Sequence, residues 1–126
     1  MAGTILYIED NPDNKLLVQR ALESRGYVML WAANGLQGLE QAEAARPDVI
    51  LLDINLPDID GYEVARRLKA SGHLHAIPII AITANALKGD AERALAAGCT
   101  VYLSKPIHIR ELWDKVNLCL SNEVGA

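Results

Sequence analysis

Short apolar runs alternate with helix-period stripes along the whole chain. Ile5 to Ile8, Val28 to Ala32, Val49 to Leu52, Ile79 to Ile82 and Val101 to Leu103 are continuous or β-rich apolar runs of strand length, and they predict five strands. Between them apolar residues recur at helical spacing: Leu17, Val18, Ala21 and Leu22; Val64, Ala65 and Leu68; Leu87, Ala91, Ala94 and Leu95; Leu112, Val116 and Cys119. The alanine-rich segment from Gly35 to Arg46 completes five helices. Asn11 before Pro12 reads as an N-cap followed by the proline favoured at the first helical position. Gly26, Gly72 and Gly98 fall where helices should stop, and Pro47 closes the second helix. Leu16 points nearly opposite the centre of the first stripe, so it is expected to be exposed.

Strict strand–helix alternation in a short chain implies a parallel sheet with helices on both faces, because parallel strands need right-handed crossovers. For five strands the common doubly wound solution is the order 2-1-3-4-5, a flavodoxin-like α/β fold, and such folds bind ligands at the carboxyl ends of their strands. The 126 residues fit a single domain, 1–126, with a core from about 4 to 120 and a short polar tail after Leu120. No internal repeat, low-complexity tract or linker interrupts it. The start at Met1 and the compact tail favour a stand-alone protein over a domain excised from a longer one.

Charge and composition narrow the function. The net charge of −4, from 16 acidic and 12 basic residues, offers no basic field for nucleic acid or an anionic membrane. Cys99 and Cys119 stand far apart, without a CxxC or a histidine at ligand spacing, and read as buried thiols. The N-terminus lacks a signal-peptide pattern, and no apolar run approaches the roughly 20 residues of a membrane span. A cytoplasmic protein is expected.

The strand ends carry the candidate chemistry. The first predicted strand ends in Glu9 and Asp10, the third in Asp53, the fourth in Thr83, and the fifth in Ser104, Lys105 and Pro106. Three converging carboxylates cannot all stay ionised without a cation, because like charges and desolvation raise each other's pKa. All-oxygen ligands favour Mg²⁺, which keeps several waters. A phosphoryl group fits between such a metal, the Lys105 ammonium and the Thr83 hydroxyl, with Asp53 as in-line nucleophile. Taken singly, Asp53 is also a turn residue, and Glu9 and Asp10 also favour a helix N-terminus through its dipole. His73 and His75 read as a solvated loop, and His108 as the start of the last helix.

Glu9-Asp10, Asp53 in LLDINLPDIDG, Thr83 in ITANA and Lys105-Pro106 in YLSKPI, in this order and each at a strand end, resemble the response-regulator receiver domains of two-component signalling. The resemblance runs from about Thr4 to Leu120 and implies the same 2-1-3-4-5 order. It implies that Asp53 is a phosphoacceptor served by a histidine kinase or histidine phosphotransfer domain. Glu9, Asp10, Asp53 and the backbone carbonyl of Asn55 would form the Mg²⁺ shell, Glu9 through water. Thr83 and Lys105 would hold the phosphoryl group, the bond before Pro106 would be cis, and Tyr102 would be the switch aromatic, expected to be semi-buried. Phosphorylation would shift the face of helix four, strand five and helix five toward a partner-binding state. The domain would be regulatory, catalysing only its own phosphotransfer and autodephosphorylation, as a monomer or a phosphorylation-dependent dimer. Leu16, beside the active edge, is a candidate contact for the phosphodonor.

Two departures stand out: Glu9-Asp10 where the family often has two aspartates, and an uncharged Cys99-Thr100-Val101 before the aromatic. Three rival functions remain open. A haloacid-dehalogenase phosphatase also uses a strand-end aspartate, but Asn55 stands where it would have a second Asp. A flavin mononucleotide carrier shares the sheet order, but EDNPDN would repel its phosphate. A phosphorylation-independent scaffold is the third.

Overall fold

The computed structural model describes residues 3–84 and 89–125, with side chains to residue 121. Along the chain run β1 (Thr4–Ile8), α1 (Pro12–Glu23), β2 (Val28–Ala32), α2 (Gly35–Ala45), β3 (Val49–Asp53), α3 (Gly61–Ala70), β4 (Ile79–Thr83), α4 (Asp90–Ala96), β5 (Val101–Ser104) and α5 (Ile109–Gly125). The five strands form one parallel sheet in the order β2-β1-β3-β4-β5, the expected doubly wound fold.

The continuous apolar runs have a direct cause. Successive residues of a strand point to opposite faces, and in the inner strands β1, β3 and β4 both faces are covered, so apolar residues follow one another without a break. Leu6, Ile8, Ile50, Leu52, Ile79 and Ala81 pack on one face against Ala42 of α2, Val64, Ala65 and Leu68 of α3, and Ala94 of α4. Ile5, Tyr7, Val49, Leu51, Ile80 and Ile82 pack on the other against Val18, Ala21 and Leu22 of α1 and Leu112, Val116 and Cys119 of α5. Cys99 is buried too, and burial pushes its thiol up to about 11, so it stays protonated at neutral pH. Among the described residues, no helix is long and apolar enough to cross a membrane.

Local chemistry sets the helix ends. The Asn11 side chain accepts from the backbone N–H groups of Asp13 and Asn14, with Pro12 opening α1. Past α4 the chain turns through Gly98 at φ 108, a conformation that side-chain-bearing residues adopt only with strain. At the start of α2, Asn34 accepts from Gln37, and Asp58, far away in the β3–α3 loop, accepts from Gly35 (2.8 Å) and Leu36 (2.9 Å). Slight burial pulls the Asp58 carboxyl up, but the bonds from Leu36 and Gly35 outweigh it and leave the pKa below the ordinary value. A carboxylate whose folded pKa is depressed contributes stability above its unfolded pKa and loses it as pH falls through the folded one. Asp58→Ala should therefore cost about 1 kcal/mol at neutral pH. In urea melts the gap to the wild type should close as pH drops below roughly 4; a gap unchanged with pH would contradict the charged cap.

Several expectations are corrected. Leu16 is exposed (48%), as its helical phase requires, but Leu17 (41%) and Leu95 (47%) are exposed too, although their stripes include them. The buried face of α1 is only as wide as Val18, Ala21 and Leu22, and α4 buries only Ala91 and Ala94, which leaves the leucines at the margins. Leu87, the first residue of the α4 stripe, lies outside the described residues. Tyr102 is exposed (39%) where semi-burial was expected, because β5 is an edge strand with one open flank. The polar stretch after Leu120 is no tail: α5 continues through it to Gly125, since backbone hydrogen bonds can propagate a helix past its buried stripe. His73 and His75 are exposed in the α3–β4 loop, His73 against Glu43, and the His108 carbonyl accepts from Leu112 at the start of α5.

Candidate functional site

The parallel strands deliver Glu9, Asp53, Thr83 and Lys105 to one edge. Glu9 follows β1 and remains in line with the sheet through its N–H bond to the Ala32 carbonyl (3.0 Å). Asp53 is the last residue of β3 and Thr83 the last of β4, and Lys105 follows β5, its N–H donating to the Thr83 carbonyl (2.9 Å). The Lys105–Pro106 peptide bond is cis. Glu9 and Asp53 are each 1% exposed and Thr83 is fully buried, while Asp10 is open to solvent.

Carboxylate oxygens of Glu9, Asp10 and Asp53 all lie within 4.8 Å of one another. Asp53 Oδ2 accepts from Lys105 Nζ at 2.9 Å and Oδ1 from the Asn55 backbone N–H at 2.9 Å. Lys105 Nζ also stands 3.9 Å from Glu9 Oε1. One ammonium against three carboxylates leaves the cluster short of positive charge. Accordingly, burial first, and then the hydrogen bond and charge of Asp53, raise the Glu9 carboxyl above its ordinary pKa, against the opposing pull of Asn14 and Lys105. Thr83 Oγ1 is buried with no hydrogen-bond partner among the described residues, a costly condition that an incoming oxygen would relieve. An all-oxygen acidic trio beside an unpartnered hydroxyl and a lysine fits a divalent cation together with an oxyanion.

Three residues at the site escape a reading of the sequence alone. The Tyr7 hydroxyl donates to Glu9 Oε1 (3.1 Å), Asn14 Nδ2 donates to the same oxygen (3.0 Å), and the Trp31 indole N–H donates to the Glu9 backbone carbonyl (2.7 Å). The available signal for Tyr7 was its spacing: two residues before Glu9, it leans to the same side of the strand. Tyr102 and Leu16 are both exposed, and no bond joins either to the acidic cluster among the described contacts.

A parallel doubly wound sheet with acids, a hydroxyl and a lysine at its carboxyl edge defines a phosphoryl-handling α/β domain. The family model of the response regulator receiver domain matches residues 5–117, and the chain belongs to that family. It is 44% identical over 122 residues to the polar-differentiation response regulator DivK of Brucella anthropi, covering 97% of this chain and 99% of that protein. The receiver domain of a sensor histidine kinase from Pseudomonas aeruginosa PAO1, whose crystal structure has a magnesium ion coordinated in the active site cleft, is 40% identical. It superposes with a TM-score of 0.89, covering 96% of this chain and 99% of that one. The Vibrio cholerae chemotaxis protein CheY4 is 27% identical at a TM-score of 0.89, over 95% of this chain and 100% of that one. The family match decides against the phosphatase and flavin-carrier readings.

Proposed function

We propose that Asp53 accepts a phosphoryl group from a phosphohistidine on a histidine kinase or histidine phosphotransfer domain. The observation that carries this reading is a nearly inaccessible carboxylate bonded to Lys105 at 2.9 Å, at the same strand edge as a buried threonine hydroxyl that has no partner among the described residues. An Asp53 oxygen forms the new O–P bond in line as the P–N bond to the donor imidazole breaks, and that electron pair returns to the ring nitrogen. Lys105 and the Thr83 hydroxyl take the equatorial oxygens, where charge is densest. Glu9, Asp10, Asp53 and the Asn55 carbonyl would hold Mg²⁺, Glu9 through water; when bound, it neutralises charge on the transferring group. Later attack of water returns the carboxylate, so the domain catalyses only its own phosphorylation and dephosphorylation.

The output follows from the same atoms. Thr83 drawn toward the phosphoryl group leaves room for Tyr102 to turn inward. Tyr102 lines a cavity of about 260 Å³ with Leu95, Thr100, Val101, Ser104, Glu111 and Lys115, between α4, β5 and α5. Phosphorylation biases the populations of the two arrangements, and a protein partner reads the difference. In this reading the chain works in the cytoplasm as one domain, residues 1–126, as a monomer or a phosphorylation-dependent dimer, without binding nucleic acid or membrane itself.

The deciding experiment is intact mass after incubation with acetyl phosphate and Mg²⁺. A single phosphoryl addition that EDTA prevents is expected; no addition from acetyl phosphate or from any protein donor would leave the phosphorylation-independent scaffold. Leu16, exposed on α1 next to the site, is the candidate donor contact. Leu16→Lys should lower kcat/KM for transfer from a phosphohistidine protein about tenfold and leave acetyl phosphate use unchanged. Equal rates with the protein donor would remove Leu16 from the interface.

A further inference from the structure

Glu9 is the longest of the three acids and the most heavily tethered. Tyr7 lies on β1 with its ring fully buried beside Ile5, Val18, Leu22 and Leu51, a place where an aliphatic side chain would pack as well. Its hydroxyl nevertheless meets Glu9 Oε1 at 3.1 Å, and Asn14 in the first turn of α1 meets the same oxygen at 3.0 Å. The other oxygen, Oε2, takes the Asn11 backbone N–H at 3.3 Å. Trp31, with Lys15 Nζ 4.2 Å above its ring, fixes the Glu9 backbone from the neighbouring strand. A glutamate has one more rotatable bond than an aspartate, and the three bonds to its carboxylate oxygens restrict that extra freedom.

We infer that Tyr7 and Asn14, with Trp31 holding the main chain, are positioning residues that aim the Glu9 carboxylate at Asp10 and Asp53 and thereby set the affinity of the divalent-cation site. The inference rests on the phosphoacceptor reading, in which Glu9 would reach the cation through water, and outer groups that orient a metal site are commonly worth about ten- to a hundredfold in affinity. Mg²⁺ is titrated into the wild type, Tyr7→Phe and Asn14→Ala, followed by tryptophan emission, since Trp31 is bonded to Glu9. Thermal melting of each variant is measured alongside, with Tyr27→Phe as a control that removes a hydroxyl bonded to Asn117 instead. The dissociation constant should rise about tenfold in Tyr7→Phe and in Asn14→Ala and stay within twofold in Tyr27→Phe. Should Tyr7→Phe not fold, Asn14→Ala decides, because its side chain lies at the helix surface rather than in the core. Wild-type-like constants in variants that fold would overturn the clamp and leave the phosphoacceptor reading standing. A wild type that binds no Mg²⁺ would overturn both.

Discussion

Asp53→Asn takes up no phosphoryl group: after acetyl phosphate and Mg²⁺ its intact mass stays that of the unmodified chain, while the wild type gains one addition. The substitution is close to isosteric, and the remaining side-chain oxygen can still accept from the Asn55 N–H or from Lys105. What disappears is the nucleophile, because an amide oxygen carries too little charge to attack phosphorus. Losing a covalent nucleophile costs on the order of 10³-fold or more in rate, which exceeds any effect expected from the surrounding ligands. Two other carboxylates lie within 4.8 Å, so the experiment discriminates sharply. An addition retained in Asp53→Asn and mapped to Glu9 or Asp10 would transfer the acceptor role to that residue. An addition mapped elsewhere would show that the strand-end cluster is not the site.

The parts of this molecule legible in its sequence are those fixed by periodicity. Both faces of β1, β3 and β4 are buried, so their sequences are unbroken apolar runs, and the residue ending each run falls at the carboxyl edge where the charges meet. Periodicity gives the direction of a helix face but not its width, which is why Leu17 and Leu95 share the spacing of the buried stripes and yet lie outside. It is also silent about contacts distant in sequence. Asp58 caps α2 from 22 and 23 residues away, and Trp31 reaches the Glu9 carbonyl across 22. Tyr7 shows a third limit: a phenol in an apolar run counts as core, and its one polar atom becomes informative only when the acid it bonds is seen beside it.

Gly61→Ala should harm both the fold and the site, because this glycine is where the two are joined. Gly61 opens α3, and its N–H donates to the Ile54 carbonyl at 2.9 Å, closing the loop that begins at Asp53. A Cβ on Gly61 would lie 2.6 Å from Ile54 Cα and 2.7 Å from the Asp53 carbonyl oxygen. Both obstacles are main-chain atoms, so no rotamer change relieves them; either α3 lifts off the sheet or the end of β3 shifts. The expected cost is about 2–3 kcal/mol, or roughly 8–12 °C in Tm for a chain of this size. Moving the main chain at Asp53 and Ile54 also moves the Asp53 carboxylate relative to Lys105, so acetyl phosphate uptake should slow about tenfold or more in the fraction that remains folded. Gly72→Ala is the matched control, since a Cβ there meets nothing within 4 Å, and its Tm should stay near the wild-type value. A Gly61→Ala protein that is destabilised yet phosphorylates at the wild-type rate would show that α3 packing supports the fold without positioning Asp53. One that is neither destabilised nor slowed would mean that the β3–α3 junction yields without strain, and Asp53 would then owe its position to Lys105 and Asn55 alone.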